Sequence, residues 1–264
     1  MTQILWMSDL HFDSAEEEVR KKFFHALHKI NCDVTLISGD IADGPKSLKY
    51  LKALREHIKG PIYFILGNHD FYGLAIDIHK KRAQEFAAAE ANLYYLTTLP
   101  FVSLNETTAL VGHDGWADAG EGTFLLSTVC LRDYFEIVDL KGRAPKELEE
   151  KLHELGKEAA LQAEQEMRAA LEKHQKVIFL THAPPFREAC LFEGNITNDD
   201  WAPHFVDKAM GQMLRCVMEQ HPDKSCLVLS GHTHHEAERQ ILPNLAVRVA
   251  HAEYGDPRYQ LLTM

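Results

Sequence analysis

The sequence predicts an α/β fold, on two observations. Short apolar runs, rich in β-branched and aromatic residues, recur at residues 4–7, 34–37, 62–66, 177–180 and 227–229. Between the first three lie segments whose apolar residues repeat at helical spacing. Strands alternating with helices are the mark of an α/β layer architecture.

The elements follow in order. Residues 4–7 are too short for a helix and apolar throughout, as a strand buried on both faces would be. In residues 15–30, Val19, Phe23, Leu27 and Ile30 form one stripe, with Ser14 as the expected N-cap. After the run at 34–37, Pro45 opens a second helix carrying Leu48, Leu51, Leu54 and Ile58, which ends before Gly60-Pro61. The run at 62–66 is the third strand. Residues 92–140 are patterned more weakly, with short strands expected at 93–96, 101–105 and 109–111. Pro145 starts a long helix to about Lys173, with Leu148, Leu152, Leu155, Ala159, Ala163, Ala170 and Leu171 on its apolar stripe. Residues 183–204, with Pro184, Pro185, Gly194 and Pro203, read as a loop; 205–220 read as a helix; 239–242, 245–250 and 259–262 read as strands. No repeat, low-complexity tract or long linker interrupts the chain. One domain over residues 1–264 is expected, with the loops 113–145 and 183–204 as its cap or lid.

Composition narrows the class. The chain has 28 Lys plus Arg against 39 Asp plus Glu, a formal charge of −11. A non-specific nucleic-acid binder wants a basic face, so nucleic acid is not expected as a partner. No apolar run approaches the roughly 20 residues of a membrane span. The five cysteines form no C-x-x-C pair; reduced, mostly buried thiols and a cytoplasmic location are expected.

Each of the five apolar runs ends in residues that bind metals or phosphates. The tips are Ser8-Asp9-Leu10-His11, Ser38-Gly39-Asp40 with Asp43, Gly67-Asn68-His69-Asp70, Thr181-His182, and Ser230-Gly231-His232-Thr233-His234. In open α/β sheets, ligands bind beyond the carboxyl ends of the strands. Taken singly, Asp9, Asp40 and Asn68 read as turn or cap residues and His182 as a loop histidine. Five such tips in one chain do not read as accident. Asp9 with His11 and His232 with His234 are two apart, so on extended backbone both side chains of each pair would face one way.

In this order, these motifs resemble the calcineurin-like metallophosphoesterases, over positions 9 to 234. The resemblance implies a four-layer α/β/β/α sandwich of two mixed sheets flanked by helices. It implies two divalent metal ions: one on Asp9, His11 and His234, the other on Asn68, His182 and His232, with Asp40 bridging. His69 would face the substrate and stabilise or protonate the leaving oxygen, with Asp70 orienting it. The family's protein serine/threonine phosphatases carry arginine shortly after the second motif and Glu after the Asn-His. Here that arginine is missing and Asp70 takes the Glu position. The resemblance therefore points to a small-molecule or nucleotide phosphomonoester or phosphodiester. A cyclic-nucleotide phosphodiesterase, a nuclease or a non-catalytic scaffold on this fold are the alternatives.

The donor set is two carboxylates, four imidazoles and one amide oxygen. Mixed N and O donors without thiolate suit Mn, Fe, Zn, Ni or Co; family habit favours Mn. Two such ions would activate a bridging hydroxide as the nucleophile. Asp43 and Asp70 are candidates to fix histidine tautomers. His113 and Arg187 are candidate phosphate contacts, with an ordinary loop histidine and a solvated surface arginine as the respective alternatives. Phe186, Phe192 and Trp201 are candidates for a lid. Phe71, Tyr72 and residues 251–254 are candidates to reach the pocket. His25, His28, His57, His153 and His174 are expected at the surface.

Overall fold

Two mixed sheets stack face to face, each covered by helices on its outer face. The computed structural model describes residues 2–264. In the first half β1 (Gln3–Met7), α1 (Glu17–Leu27), β2 (Val34–Ser38), α2 (Lys46–His57), β3 (Ile62–Ile65), α3 (Ile76–Ala89) and β4 (Leu93–Tyr95) alternate. There follow β5 (Val102–Ser103), β6 (Thr108–Gly112), the one-turn α4 (Asp133–Glu136), α5 (Pro145–Lys173) and β7 (Lys176–Leu180). A small hairpin of β8 (Leu191–Phe192) and β9 (Asn195–Ile196) precedes α6 (Ala202–Phe205) and α7 (Lys208–Glu219). The chain ends with β10 (Ser225–Ser230), β11 (Ala237–Leu242), β12 (Leu245–Val249) and β13 (Gln260–Thr263).

The first sheet has the order β13-β1-β2-β3-β4, the second β11-β12-β10-β7-β6-β5. The central strands β1 to β4 run parallel, as do β6, β7, β10 and β12; β13, β11 and β5 add antiparallel edges. Residues of alternating parity serve the two faces of a strand. Ile4 and Trp6 of β1 meet Leu110, Ile178 and Leu229 of the facing sheet. Leu5 and Met7 turn outward to Phe23, Leu27, Leu51 and Leu54 of α1 and α2. Val177 and Phe179 turn outward to Ala163, Met167, Leu214 and Val217 of α5 and α7. This double burial explains the unbroken apolar runs, and the four layers agree with the expected sandwich.

Local departures have local causes. The first helix begins at Glu17, with no side-chain cap; Ser14 instead lines the cleft. Helix α3, absent from the expectations, buries Ile76, His79, Ala83 and Ala87. The 183–204 segment is not plain loop, since it folds into β8, β9 and α6. All five cysteines are free, but only Cys190 and Cys226 are buried, while Cys130 and Cys216 are exposed. His174 is also buried, edge-on to Phe101, whereas His25, His28 and His153 are exposed. Among the described residues, no helix is long and apolar enough to cross a membrane.

Candidate metal centre

The carboxyl ends of β1, β2, β3, β7 and β10 meet at one rim, and the seven candidate ligands converge there. Asp9, His11 and His234 place ligand atoms within 4.8 Å of one another, as do Asp40, His182 and His232. Asp40 stands between the trios: its Oδ2 is 3.7 Å from His11 Nε2 and 3.4 Å from His182 Nε2. Asn68 Oδ1 lies 2.9 Å from His182 Nε2 and 2.9 Å from His232 Nδ1. A third trio joins His11, Asp40 and His69.

The backbone reaches this arrangement by a route the sequence reading did not anticipate. Asp9, His11, Asp40, His232 and His234 all have positive φ, between 38° and 70°. Non-glycine residues avoid that region, and such strain collects at functional sites. The two i, i+2 pairs therefore converge through left-handed turns and not through extended strand, because each lies just past its strand. The turns are pinned from neighbouring loops: Asp9 N–H donates to Gly39 O and His11 N–H to Asp40 O, both at 3.0 Å. His232 N–H donates to Asp9 Oδ1 at 2.8 Å. Gly67 and Gly231 are required by close approach: a Cβ on Gly67 would collide with Asp40 Oδ1, and one on Gly231 with Asp9 Oδ2 and Ser8 Oγ.

The outer atoms of the rings are also held. His182 Nδ1 lies 2.8 Å from Ser38 O, and His232 Nε2 lies 3.0 Å from His204 O. Carbonyls accept only, so both contacts are N–H donations, leaving His182 Nε2 and His232 Nδ1 free of protons when the rings are neutral. These are the atoms that face Asn68 Oδ1.

The donor set fits a pair of divalent cations. His11 Nε2 and His234 Nε2 face each other at 3.1 Å, a contact that repels unless a proton or a cation lies between them. Burial works against charge on His182, yet Asp40 and Asp9 hold its pKa up to about 10. Burial also opposes ionisation of Asp9, but His234 and His182 bring its carboxyl down to about 2. Asp40 is held well below the carboxylate range by His182, His69 and His11, against its burial. At His11 burial wins and the ring falls to about 4. The two buried carboxylates, Asp9 and Asp40, are held ionised and draw positive charge to themselves: without ions a protonated His182 answers them, and bound cations would take its place.

His69 leans on Asp43, not Asp70: His69 Nδ1 is 2.9 Å from Asp43 Oδ1. Burial lowers the His69 pKa, but Asp40 and Asp43 together raise it to about 9. The expectation that Asp70 orients His69 is corrected. The Asp70 carboxylate accepts from the backbone N–H of Asp40, Ile41, Ala42 and Gly67 at 2.8–3.2 Å, which leaves it no reach to the ring. Burial and Asp40 push its carboxyl up to about 8, against the Gly67 and Ala42 donors.

An open cleft of about 440 Å³ leads to the centre. His113 does not line it. That ring is buried, with Nε2 on Gln162 Oε1 at 3.1 Å and Nδ1 accepting from Gly115 N–H at 3.0 Å. Nor does Arg187, which donates to Thr197 O at 3.0 Å and Asp199 Oδ1 at 2.6 Å. The cation in the cleft is Arg132, 3.1 Å from Asp43 and 4.9 Å over the Tyr72 ring. Phe192 and Phe205 form one wall with Trp201 stacked behind; Phe186 and Phe71 are core residues. Tyr254 reaches the site, its hydroxyl 3.4 Å from His69 Nε2, while His251 pairs with Glu253 instead. Arg132, Asp133 and His204 were missed by sequence reasoning.

Residues 2–236 match the family model described as calcineurin-like phosphoesterase. The chain belongs to that family and is a metal-dependent phosphoester hydrolase. No curated protein sequence matches it. Its fold is similar to a phosphopantetheinyl hydrolase from Mycobacterium tuberculosis, with a TM-score of 0.67 and 14% identity, covering 96% of this chain and 90% of that one. A dimetal phosphatase from Danio rerio aligns with a TM-score of 0.58 and 11% identity over 94% and 86% of the two chains. The protein TT1561 of Thermus thermophilus gives 0.56 and 17% over 99% and 93%.

Proposed function

We propose that the protein hydrolyses a small-molecule or nucleotide phosphoester at a dinuclear centre held by Asp9, His11, Asp40, Asn68, His182, His232 and His234. The position of Asp40 between the two trios carries this reading. Mn²⁺ is our choice of activating ion, with Fe, Zn, Ni and Co as the alternatives the donor set allows. When bound, two divalent ions supply an activated water and a positive clamp on phosphoryl oxygens.

The chain's own groups do the rest. Protonated His69, backed by Asp43, hands a proton to the departing oxygen. Tyr254 and Tyr72 flank that ring and limit its access to bulk water. Arg132 offers the cleft a cation for a substrate phosphate or distal anion. A cleft of about 440 Å³ suits a small ligand. Among the described residues, Arg132 is its one Lys or Arg, which supports small substrates over a long nucleic acid. A cytoplasmic site of action belongs to this same reading.

The test is a panel of aryl monoester, aryl diester, cyclic nucleotides and nucleotide pyrophosphates, each with Mn²⁺, Zn²⁺, Fe²⁺, Co²⁺ and Ni²⁺. Turnover that vanishes in Asp40→Asn supports the reading. No turnover on any member, with two ions bound, defeats it.

A further inference from the structure

The Asn68 side chain has two ends of nearly equal size and opposite chemistry. Its oxygen can serve a cation and its nitrogen cannot. Rotating the amide by half a turn would exchange them, with little change in shape. The site therefore needs something that tells the ends apart.

Asp133 stands at that place. Its Oδ1 accepts from Asn68 Nδ2 at 2.9 Å and from the Tyr72 hydroxyl at 2.7 Å. The carboxylate is buried, 6% exposed. Among the described residues, no other side chain or carbonyl accepts from Asn68 Nδ2. The same Oδ1 already takes the Tyr72 O–H, so a flipped amide would set oxygen against oxygen here. The same flip would aim Nδ2 at His182 Nε2 and His232 Nδ1, which now face Asn68 Oδ1.

We propose that Asp133 is a positioning residue of the metal centre: it locks the Asn68 amide with its oxygen toward His182 and His232. This rests on the reading that those three residues hold an ion. It also gives the 113–145 segment a task beyond covering the cleft. Asp133 begins α4, 65 residues beyond Asn68. One residue earlier, Arg132 reaches Asp43, the partner of His69. One turn of the cap thus touches both the amide ligand and the proton donor's support.

The test uses the full chain and Mn²⁺ alone. Asp133→Asn keeps the volume but replaces the obligate acceptor with an amide that can donate or accept. Losing such an outer partner weakens metal binding by roughly 10–100-fold. We expect the wild type to bind two Mn²⁺ with the paramagnetic resonance spectrum of a coupled pair. Asp133→Asn should keep one tight ion, bind the second more weakly by that factor, and show an isolated-Mn²⁺ spectrum at one equivalent. Asp133→Ala should do the same more strongly. Tyr72→Phe removes the carboxylate's other hydrogen bond but leaves the acceptor to Asn68 in place, and should weaken the second ion clearly less than Asp133→Asn does. Two wild-type affinities in Asp133→Asn would overturn the inference and leave the dinuclear reading standing. A wild type that binds fewer than two ions would overturn the dinuclear reading itself. Equal weakening in Tyr72→Phe would show a merely structural role and also overturn the inference.

Discussion

His69 Nδ1 lies 2.9 Å from the Asp43 carboxylate, and that carboxylate is in turn held by Arg132 at 3.1 Å. The chain Arg132–Asp43–His69 bears on the protonation of the histidine proposed to serve the leaving group. Burial opposes the charge, while Asp40 and Asp43 raise the ring's pKa to about 9. With ions held at Asp40, Asp43 remains as the group that keeps the proton on the ring, and the acid form is lost as pH rises through a pKa set by that pair. For an alkyl phosphoester, whose leaving oxygen needs a proton, kcat/KM should fall on the alkaline side.

Asp43→Asn removes a charge-assisted hydrogen bond to His69. Such a bond is worth about 1.5–3 kcal/mol, or roughly 1–2 pH units. The alkaline limb should move to lower pH by that amount. With a p-nitrophenyl ester the limb should be shallow, since that leaving group needs no acid. A pH profile that does not differ between Asp43→Asn and wild type would remove His69 from the role of acid.

Asp70 gives a contrasting outcome. It accepts from four backbone N–H groups on the loops that carry Asp40 and Asn68. Asp70→Asn turns an N–H₂ toward some of these donors and leaves them unpaired in the interior. One or two lost partners cost roughly 3 kcal/mol, which lowers Tm by about 6–12 °C in a chain of this size. Turnover should fall with it, but the alkaline limb should stay in place. A shifted limb with an unchanged melting temperature would restore Asp70 to the orienting role.

The tips that carry the candidate ligands were legible because their signal is local: an apolar run followed within a few residues by Asp, Asn or His. The layers beyond one strand–helix alternation came only with the family resemblance, since periodicity does not distinguish a doubly wound sheet from two stacked ones. Helix α3 was hidden because its buried face is Ile76, His79, Ala83 and Ala87, a stripe with little hydrophobic contrast. Asp133 and Arg132 were hidden for a different reason. Their partners are 61 to 89 residues away, reached from a segment with weak patterning. His113 and Arg187 misled through residue type, which says nothing of whether a side chain's donors are already spent. The left-handed backbone at five candidate ligands was not readable, because Asp and His, though they tolerate positive φ better than most residues, far more often sit on ordinary backbone.

Arg132 and Arg187 can be separated by kinetics. Arg132→Ala empties the cleft of its cation and should raise KM about 5–10-fold for an anionic phosphoester, a loss near 1–1.4 kcal/mol. The effect should shrink at high salt, because the Arg132 side chain is 58% exposed and its field is screened. Arg187→Ala should leave both KM and kcat within twofold, since its guanidinium is spent on Thr197 and Asp199. Steady-state kinetics at two ionic strengths decide it. A rise in KM for Arg187→Ala alone would reverse the assignment.

Gly231 lies on the loop that carries His234, hard against the loop that carries Asp9 and His11, and its missing side chain is part of the site. An added Cβ would strike Asp9 Oδ2 and Ser8 Oγ, and both are buried with no room to retreat. Gly231→Ala should displace Asp9 from His234 and weaken binding of the ion shared with His11, by at least the roughly 10–100-fold seen when a ligand's support is lost. Gly194→Ala is the control. Gly194 also has positive φ, but nothing lies within 4 Å of its would-be Cβ, so it bears local strain without touching the centre. Chelator treatment should silence wild type and both variants, and added Mn²⁺ should restore wild type and Gly194→Ala at micromolar concentrations. Gly231→Ala should need far more Mn²⁺, or fail to recover, while its far-ultraviolet circular dichroism matches wild type. Recovery of Gly231→Ala at the wild-type Mn²⁺ concentration would mean that Asp9 is not a ligand.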